Sequence, residues 1–305
     1  MTTAWFNCQA GVAGDMTLAA LVDAGADPDH VARTLGGLGV EGWAMHFERV
    51  QRCGVGATWA NVVVHDDHDA DGHTAHRPVR DIREMLFAAY LPTRVRAGAR
   101  AVFDQLADAE GAIHGVDPGD VELHEVGAVD AIVDVVGVCA ALDSLDVTEV
   151  RCSPIAVGTG SVRSVHGVLP NPAPATVAIL TSAGAPVIGL DATLEVTTPT
   201  GAALMATLAT GFGALPSMSP VAVGYGAGTA DTAGRANVVQ VVIGDATDHG
   251  AEGGDERGAD VLLLEANVDD VTGEVLAHAV TELLVAGAHD AWITPIVMKK
   301  GRPAH

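Results

Sequence analysis

The sequence predicts an α/β (α+β) main domain with glycine-rich loops, followed by a partial ferredoxin-like C-terminal segment. The chain has 305 residues and 49% hydrophobic content, enough to bury a large core. Short segments of alternating apolar and β-branched residues are interspersed with longer segments of helical period, and glycine-rich turns join them. Residues 245–258 are acidic, rich in glycine and without periodicity, which predicts a linker. The predicted domains are therefore residues 1–244 and 259–305.

Hydrophobic periodicity places the elements of the main domain. The predicted strands are Thr3–Cys8, Trp43–Val50, Ala57–Val64, Val150–Val157, Pro220–Gly224 and Asn237–Ile243. The predicted helices are Asp15–Ala24, Val79–Tyr90, Arg94–Ile113, Ala128–Leu145, Ala173–Ser182 and Gly201–Ala209.

The segment after the linker predicts a strand at Val261–Asn267, a helix at Thr272–Ala286 and a strand at Asp290–Met298. This order is the β-α-β half of a ferredoxin-like unit. Two strands and one helix leave apolar surface uncovered, so we expect a partner (a separate C-terminal chain or a homo-oligomer), a domain swap or disorder.

Charge and hydropathy exclude several classes of protein. The net charge is −23, from 39 acidic and 16 basic residues, which argues against nucleic-acid binding because phosphate recognition needs clustered Lys and Arg. Apolar runs such as Ala131–Leu142 are too short to cross a bilayer, and the N-terminus lacks a signal pattern. We therefore expect no membrane partner and a cytoplasmic location.

The four cysteines have no CxxC spacing, so neither a zinc finger nor a disulfide framework is predicted. They are expected to be mostly buried thiols: Cys8, Cys53, Cys139 and Cys152.

A histidine-rich segment, HDDHDADGHTAH at residues 65–76, interrupts the main domain. Its imidazoles and interleaved carboxylates suit nickel, zinc or cobalt. The candidate metal ligands are His65, His68, His73 and His76. The alternative is a solvated polar loop with the adventitious metal affinity of any histidine-rich tract.

Two carboxylates lie one helical turn apart in the apolar sequence LHEVGAVDAIVDVVG. Asp130 and Asp134 point the same way from this helix, and His124 and Glu125 precede it. Unpaired carboxylates there would be costly, which favours a metal or proton-transfer site. The alternative is a capping network in which Asp134 is bonded to a backbone amide or an arginine.

Two glycine-containing loops begin predicted helices and could bind a phosphate through backbone N–H groups. They lie in CQAGVAGDM, with Gly11 and Gly14, and in TTPTGAAL, with Thr198, Thr200 and Gly201. The alternative is a pair of ordinary turns, with Asp15 and Thr200 as helix caps.

The last segment places acids and cations together. Asp269 and Asp270 follow its first strand, and Glu274 lies in the first turn of its helix. The only two lysines of the chain, Lys299 and Lys300, precede Arg302 after the second strand. If the two strands are parallel, these groups share one rim and suit a divalent ion that carries a nucleotide.

These motifs, together with VHGVLPNPAPAT, GYGAG and ITPIVMKKGRP, resemble the nickel-pincer cofactor cyclometallases in order along nearly the whole chain. The resemblance implies nickel insertion into pyridinium-3,5-bisthiocarboxylic acid mononucleotide, which makes the nickel-pincer cofactor of lactate racemase. It also implies that CTP is consumed with a divalent cation, Mn²⁺ or Mg²⁺. The implied partners are therefore Ni²⁺, the mononucleotide and CTP.

The resemblance also suggests roles for the candidate residues. We assign nickel capture to the four histidines, base or metal duties to the group His124, Glu125, Asp130 and Asp134, and the substrate phosphate to the two glycine loops. The family's metal–CTP site maps onto Asp269, Asp270, Glu274, Lys299, Lys300 and Arg302.

The sequence departs from the family pattern in two places. Asn7 stands where the family usually has aspartate, and the sequence ends after GRPAH. An incomplete CTP site, completed by a separate C-terminal chain, is therefore expected.

Two other classes of function compete with insertion. A non-catalytic nickel carrier or storage protein would use the histidine loop alone, and CTP consumption would separate it from the enzyme. A metal-dependent phosphohydrolase would explain the acidic clusters but not the histidine loop.

Overall fold

The computed structural model describes residues 1–64, 77–123, 129–164, 167–232, 234–246 and 264–305, with Lys300 described by its backbone only. The chain divides into two compact units, Met1–His249 and Gly250–His305. The α-helices of the described residues are α1 Gly14–Asp23, α2 Pro28–Gly36, α3 Val79–Ala88, α4 Thr93–His114, α5 Val129–Ser144, α6 Pro174–Ser182, α7 Pro199–Leu208 and α8 Gly273–Val285. The strands are β1 Thr2–Asn7, β2 Trp43–Arg52, β3 Val55–Val64, β4 Arg77–Pro78, β5 Glu122–Leu123, β6 Glu149–Cys152, β7 Ile155–Val157, β8 Ser161–Ser164, β9 Gly167–Pro170, β10 Val187–Gly189, β11 Gly211–Phe212, β12 Met218–Ala227, β13 Val238–Ala246, β14 Ile296–Met298 and β15 Arg302–Ala304.

A seven-stranded mixed sheet organises the first unit, in the order β11-β6-β1-β13-β12-β3-β2. Strands β11, β6 and β1 are parallel, and β13 pairs antiparallel with both β1 and β12. This mixture of parallel and antiparallel pairs confirms the predicted α/β (α+β) class for the main domain. Because α1 follows β1, and α5 leads back into β6, both helices begin at the edge where β1 and β6 end.

Glycines in β12 let α1 lie directly on the sheet. A Cβ atom on Gly226 would come 1.8 Å from the carbonyl oxygen of Met16, and one on Gly224 would come 2.1 Å from that of Ala20. No side chain fits between these backbones. The position of α1, and of the loop that leads into it, therefore depends on these two glycines.

Gly226→Ala is expected to destabilise the protein by at least about 2 kcal/mol, because the new methyl group overlaps the α1 backbone. Chemical denaturation measures the change. The matched control is Gly36→Ala, where a Cβ atom meets nothing within 4 Å and the helical position favours alanine. Equal stability of the two variants would contradict the close packing of α1 on β12.

Helix α5 is the central helix of the first unit. Twelve of its 16 residues are buried, so apolar side chains surround it on nearly every side. A Cβ atom on Gly137 would come 2.9 Å from Leu18, which shows how closely α1 and α5 approach each other. A carboxylate on such a helix is held in apolar surroundings.

All six predicted helices of the main domain are present, with differences of a residue or two at some ends. Helix α2 was not predicted, although Asp27 caps it by accepting from Asp29 N–H at 2.9 Å and Pro28 opens it. The predicted strand Val150–Val157 is two strands, β6 and β7, separated at Ser153 and Pro154.

The second unit differs from the predicted β-α-β half of a ferredoxin-like fold. Helix α8 is present, but residues 264–268 form no strand, and β14 pairs antiparallel with β15 across a short 3-10 turn. Val268 and His305 exchange two backbone hydrogen bonds, at 2.9 and 3.0 Å. The predicted parallel strand pair is therefore not confirmed: residues 261–263 of its first strand lie outside the described residues, and the pairing that is described is antiparallel.

Among the described helices, none is long and apolar enough to cross a membrane. Cys8, Cys139 and Cys152 are buried free thiols and Cys53 is exposed, largely as the sequence predicted.

Candidate functional site

The loop after β1 turns sharply at Gly11, whose φ of +106° lies in the region that favours glycine. A Cβ atom there would come 1.9 Å from the carbonyl oxygen of Val196. The loop is thus pressed against the segment that leads into α7.

A second loop locks onto the first. The backbone N–H of Val12 donates to Thr197 Oγ1 at 3.2 Å, and the N–H of Thr198 donates to the carbonyl of Val12 at 3.1 Å. A Cβ atom on Gly201 would come 2.2 Å from the same carbonyl oxygen. The starts of α1 and α7 are therefore adjacent and rigidly joined.

The structure thus brings together the residues proposed to bind phosphate, and several of them take part in the packing of α1 and α7. Gly11 and Gly201 permit close backbone approach, and Thr198 Oγ1 accepts from the N–H of Gly201 at 3.1 Å, which caps α7. Thr200 is buried. Phosphate binding by these loops stays a prediction.

Asp134 of α5 lies against the first residue of α1. A Cβ atom on Gly14 would come 2.6 Å from Asp134 Oδ2, so only glycine fits there without displacing the carboxylate. The other oxygen, Oδ1, is buried and has no hydrogen-bond partner within the described residues. Of the two structural alternatives, an arginine partner has no support among those residues, whereas a bond from a backbone amide does, because the N–H of Asp15 bonds to the carboxylate and opposes the rise of its pKa.

Asp15 and Asp130 complete a cluster of three carboxylates with Asp134. Burial raises the pKa of Asp15 to about 6, the N–H of Met16 opposes this rise, and the charge of Asp130 adds to it. Burial also raises the pKa of Asp134 well above its usual range, and the charges of Asp15 and Asp130 add to that rise. The cluster therefore holds protons more tightly than ordinary carboxylates do.

Asp130 is the exposed member of this carboxylate cluster, and it accepts a hydrogen bond from the N–H of Ala131 at 2.9 Å. The structure therefore brings Asp130 and Asp134 together, as their spacing predicted. His124 and Glu125 lie outside the described residues. Sequence reasoning missed Asp15, which it treated only as a helix cap.

Cys8 lies beside the same loop but is fully buried, and its N–H donates to Ser153 Oγ at 2.9 Å. Its Sγ atom lies 3.5 Å from that of Cys152, and the hydrogen bond between the two thiols, together with burial, raises the pKa of Cys8 well above its usual value. Cys8 therefore stays a neutral thiol. The amide of Asn7 bonds to Gln240 at 3.3 Å and accepts from the N–H of Gln9 at 3.2 Å, so it serves the loop structure.

The histidine loop at residues 65–76 lies outside the described residues. In the part of the chain that the structure describes, no three His, Cys, Asp or Glu side chains are placed to hold a metal ion. The three carboxylates are thus grouped electrostatically, without the geometry of a closed metal site.

In the second unit, the side chains proposed to bind metal and CTP are exposed wherever they are described: Asp269, Asp270, Glu274, Lys299 and Arg302. The side chain of Lys300 lies outside the described part. The exchanged bonds between Val268 and His305 are those of an antiparallel pair, so the chain after Val268 runs back towards Arg302. The antiparallel pair at Val268 and His305 replaces the parallel strands that were predicted to bring the acids and cations to one rim.

Comparison with known proteins places the chain in a family. The family model described as "Nickel insertion protein" matches residues 4–305. A Nocardioides protein named pyridinium-3,5-bisthiocarboxylic acid mononucleotide nickel insertion protein is 47% identical over 305 residues, 100% of this chain and 74% of the relative. Proteins of the same name from Geobacillus kaustophilus and Staphylococcus saprophyticus are each 39% identical, over 99% and 98% of this chain and 75% and 73% of their own lengths.

No solved structure matches the chain. The family model nevertheless covers almost every residue, and the similarity to these relatives extends over the same length. The chain therefore belongs to the nickel insertion protein family.

Proposed function

We propose that this protein inserts nickel into pyridinium-3,5-bisthiocarboxylic acid mononucleotide, the substrate named for its relatives. The observation that carries the proposal is the buried carboxylate of Asp134, which lies at the start of α1 with one oxygen unpartnered among the described residues. Forming a bond between nickel and a ring carbon releases the proton of that carbon. A base must accept this proton.

Asp134 and Asp15 suit this role because their protonation is shifted towards neutral pH. A base is most effective when its pKa lies near the working pH, and the pKa of Asp15 is raised to about 6. Burial raises the pKa values of Asp15 and Asp134, and the negative charge of Asp130, exposed on the first turn of α5, raises both further. His124 and Glu125 precede α5 and are proposed to complete the site.

Nickel is the cargo of the reaction, and its proposed donors are His65, His68, His73 and His76. Neutral imidazole is a good nickel ligand, and four such groups in one segment would compete well for the ion. The ion would then pass to the thiocarboxylate sulfurs and the ring carbon of the substrate. The resulting nickel-pincer compound is the cofactor of lactate racemase in the proposed pathway.

The second unit is the proposed site for CTP with Mn²⁺ or Mg²⁺. Oxygen ligands from Asp269, Asp270 and Glu274 suit a hard divalent cation, and the cations of the Lys299–Arg302 turn suit the phosphates that it carries. The exposure of these side chains and the antiparallel path after Val268 support this assignment.

The test combines the purified protein with nickel, CTP, manganese and the mononucleotide, and follows the product by mass. Formation of the nickel adduct with consumption of CTP is the expected result. Nickel binding without adduct formation, with any separate C-terminal chain also supplied, would favour the alternative of a nickel carrier or storage protein.

The rate of insertion is expected to fall as the pH drops through about 6, because Asp15, whose pKa is about 6, then becomes protonated and can no longer take part with Asp134 in accepting the ring proton. Single-turnover rates at saturating nickel, from pH 5 to 8, measure this dependence. Saturating nickel offsets the protonation of the histidine donors, which would otherwise produce a similar decline. In Asp15→Asn the residual rate should lose this pH dependence, and an unchanged profile would exclude Asp15 as its cause.

A further inference from the structure

A small cavity lies beside Ala10, four residues before Gly14. It is a small recess of about 20 Å³ that opens to solvent. Apolar and polar residues both line it, among them Ala10, Leu194, Val196, Thr232, Arg235 and Asn237. Val196 also contacts Gly11, so the cavity and the loop before α1 share a wall.

Arg235 is the cation of this cavity. Within the described residues its guanidinium group makes no hydrogen bond or ion pair, whereas Arg49, Arg52 and Arg83 are all bonded through their side chains. Arg94 and Arg96 also lack acidic partners, but their guanidinium groups bond to backbone carbonyls, whereas that of Arg235 has no bonded oxygen among the described residues. A partly buried guanidinium that lines a cavity is well placed to bind an anion.

The segment that carries Arg235 is held in place by its neighbours. The N–H of Arg235 donates to the carbonyl of Thr232 at 3.3 Å, and Asn237 Nδ2 donates to the carbonyl of Ala230 at 2.9 Å. The hairpin between β2 and β3 also contributes, because Arg52 donates to the carbonyl of Gly228 at 2.8 Å. A site preorganised in this way loses little entropy when a ligand binds.

Electrostatics favours the binding of a phosphate in this cavity over its binding at the start of α1. A phosphate at that helix start would lie near the carboxylate cluster of Asp15, Asp130 and Asp134, whose negative charge opposes the attraction of the helix N-terminus. The cavity offers a fixed positive charge and the hydroxyl and amide groups of Thr232 and Asn237.

We infer that Arg235 binds the phosphate of the mononucleotide substrate in this cavity. The inference rests on the proposed function, and it moves the phosphate away from the two glycine loops to which the sequence assigned it. A guanidinium group can donate two parallel hydrogen bonds to a phosphate, a geometry that lysine lacks. With the phosphate anchored there, the pyridinium ring is free to extend towards the carboxylate cluster.

Calorimetric binding without nickel tests this assignment, with the mononucleotide and its dephosphorylated nucleoside as the two ligands. Arg235→Gln is expected to weaken binding of the mononucleotide by about 10- to 100-fold and to leave nucleoside binding unchanged, because only the mononucleotide carries the phosphate. The affinity of Arg235→Lys for the mononucleotide should lie between those of the unaltered protein and Arg235→Gln, since lysine keeps the charge and loses the paired hydrogen bonds.

The control is Arg33→Gln, the same substitution at a side chain that is 71% exposed on α2, and it should change neither affinity. Equal weakening of both ligands by Arg235→Gln would overturn the phosphate assignment and indicate a contact with a thiocarboxylate instead. No weakening of either would remove Arg235 from the site while leaving the proposed function intact. If the unaltered protein bound neither ligand, the proposed function itself would fail.

Discussion

Asp134→Asn should lower the single-turnover rate of nickel insertion by at least about 100-fold while the protein remains folded. Asparagine has nearly the shape of aspartate but cannot accept the ring proton. Asp134 Oδ1 has no hydrogen-bond partner among the described residues. Replacing this oxygen by the NH2 group of asparagine therefore breaks no hydrogen bond among them. The loss should therefore appear in the rate and not in the structure.

The melting temperature of Asp134→Asn at pH 7.5 should equal or exceed that of the unaltered protein. The folded-state pKa of Asp134 is raised, so the folded protein binds more protons than the unfolded chain in the window above the ordinary aspartate value of 3.8. Stability due to this group is therefore lost as the pH rises through that window. Asparagine does not titrate, so the variant does not lose this stability as the pH rises. Its higher melting temperature relative to the unaltered protein should therefore disappear at low pH.

Asp146→Asn is the matched control, because Asp146 is exposed just after the other end of α5 and its φ of +50° is one that asparagine also tolerates. It should change neither the rate nor the melting temperature. A destabilised but active Asp134→Asn protein would instead make Asp134 a structural acceptor and weaken the case for Asp130.

Replacing His65, His68, His73 and His76 together by alanine should abolish stoichiometric nickel binding, because the four imidazoles are the proposed donors. In the unaltered protein, binding should also weaken below about pH 6.5, where imidazole ordinarily gains a proton. Equilibrium dialysis against nickel measures both effects.

The control for the histidine variant replaces three exposed histidines elsewhere, His46, His278 and His289, by alanine. Nickel binding should survive this change. Unaltered stoichiometry and affinity in the four-histidine variant would show that nickel is captured elsewhere.

The elements of the main domain were largely predictable because hydrophobic period reports burial directly. Helix α4, whose buried residues recur every three or four positions, and the long strands follow this rule. The division of Val150–Val157 was missed because Ser153 and Pro154 lie within an apolar run. Proline has no N–H for a strand ladder, and Ser153 Oγ bonds instead to the carbonyl of Pro154 at 2.8 Å and to the N–H of Cys8 at 2.9 Å.

The candidate site was only half predictable for a related reason. Asp130 and Asp134 are neighbours on one helix, so their spacing reveals them. Asp15 lies more than a hundred residues earlier, and an acid in the first turn of a helix is ordinarily a favourable dipole partner. Only the packing of α1 against α5 turns Asp15 into a member of the carboxylate cluster. Arg235 gives no sequence signal, because its meaning comes from the cavity that it lines.

The contact between Gly14 and Asp134 also restricts the order in which these positions can change during evolution. With Asp134 present, any side chain at position 14 would place its Cβ atom 2.6 Å from a carboxylate oxygen, so a lineage could not replace the glycine first. Only glycine at position 134 would open position 14 to alanine, because the Cβ atom of Asp134 itself would lie 2.8 Å from the added Cβ atom. A later return to aspartate would then be blocked until glycine had been restored at position 14. The two positions thus form an epistatic pair in which the history of one determines the mutations available to the other.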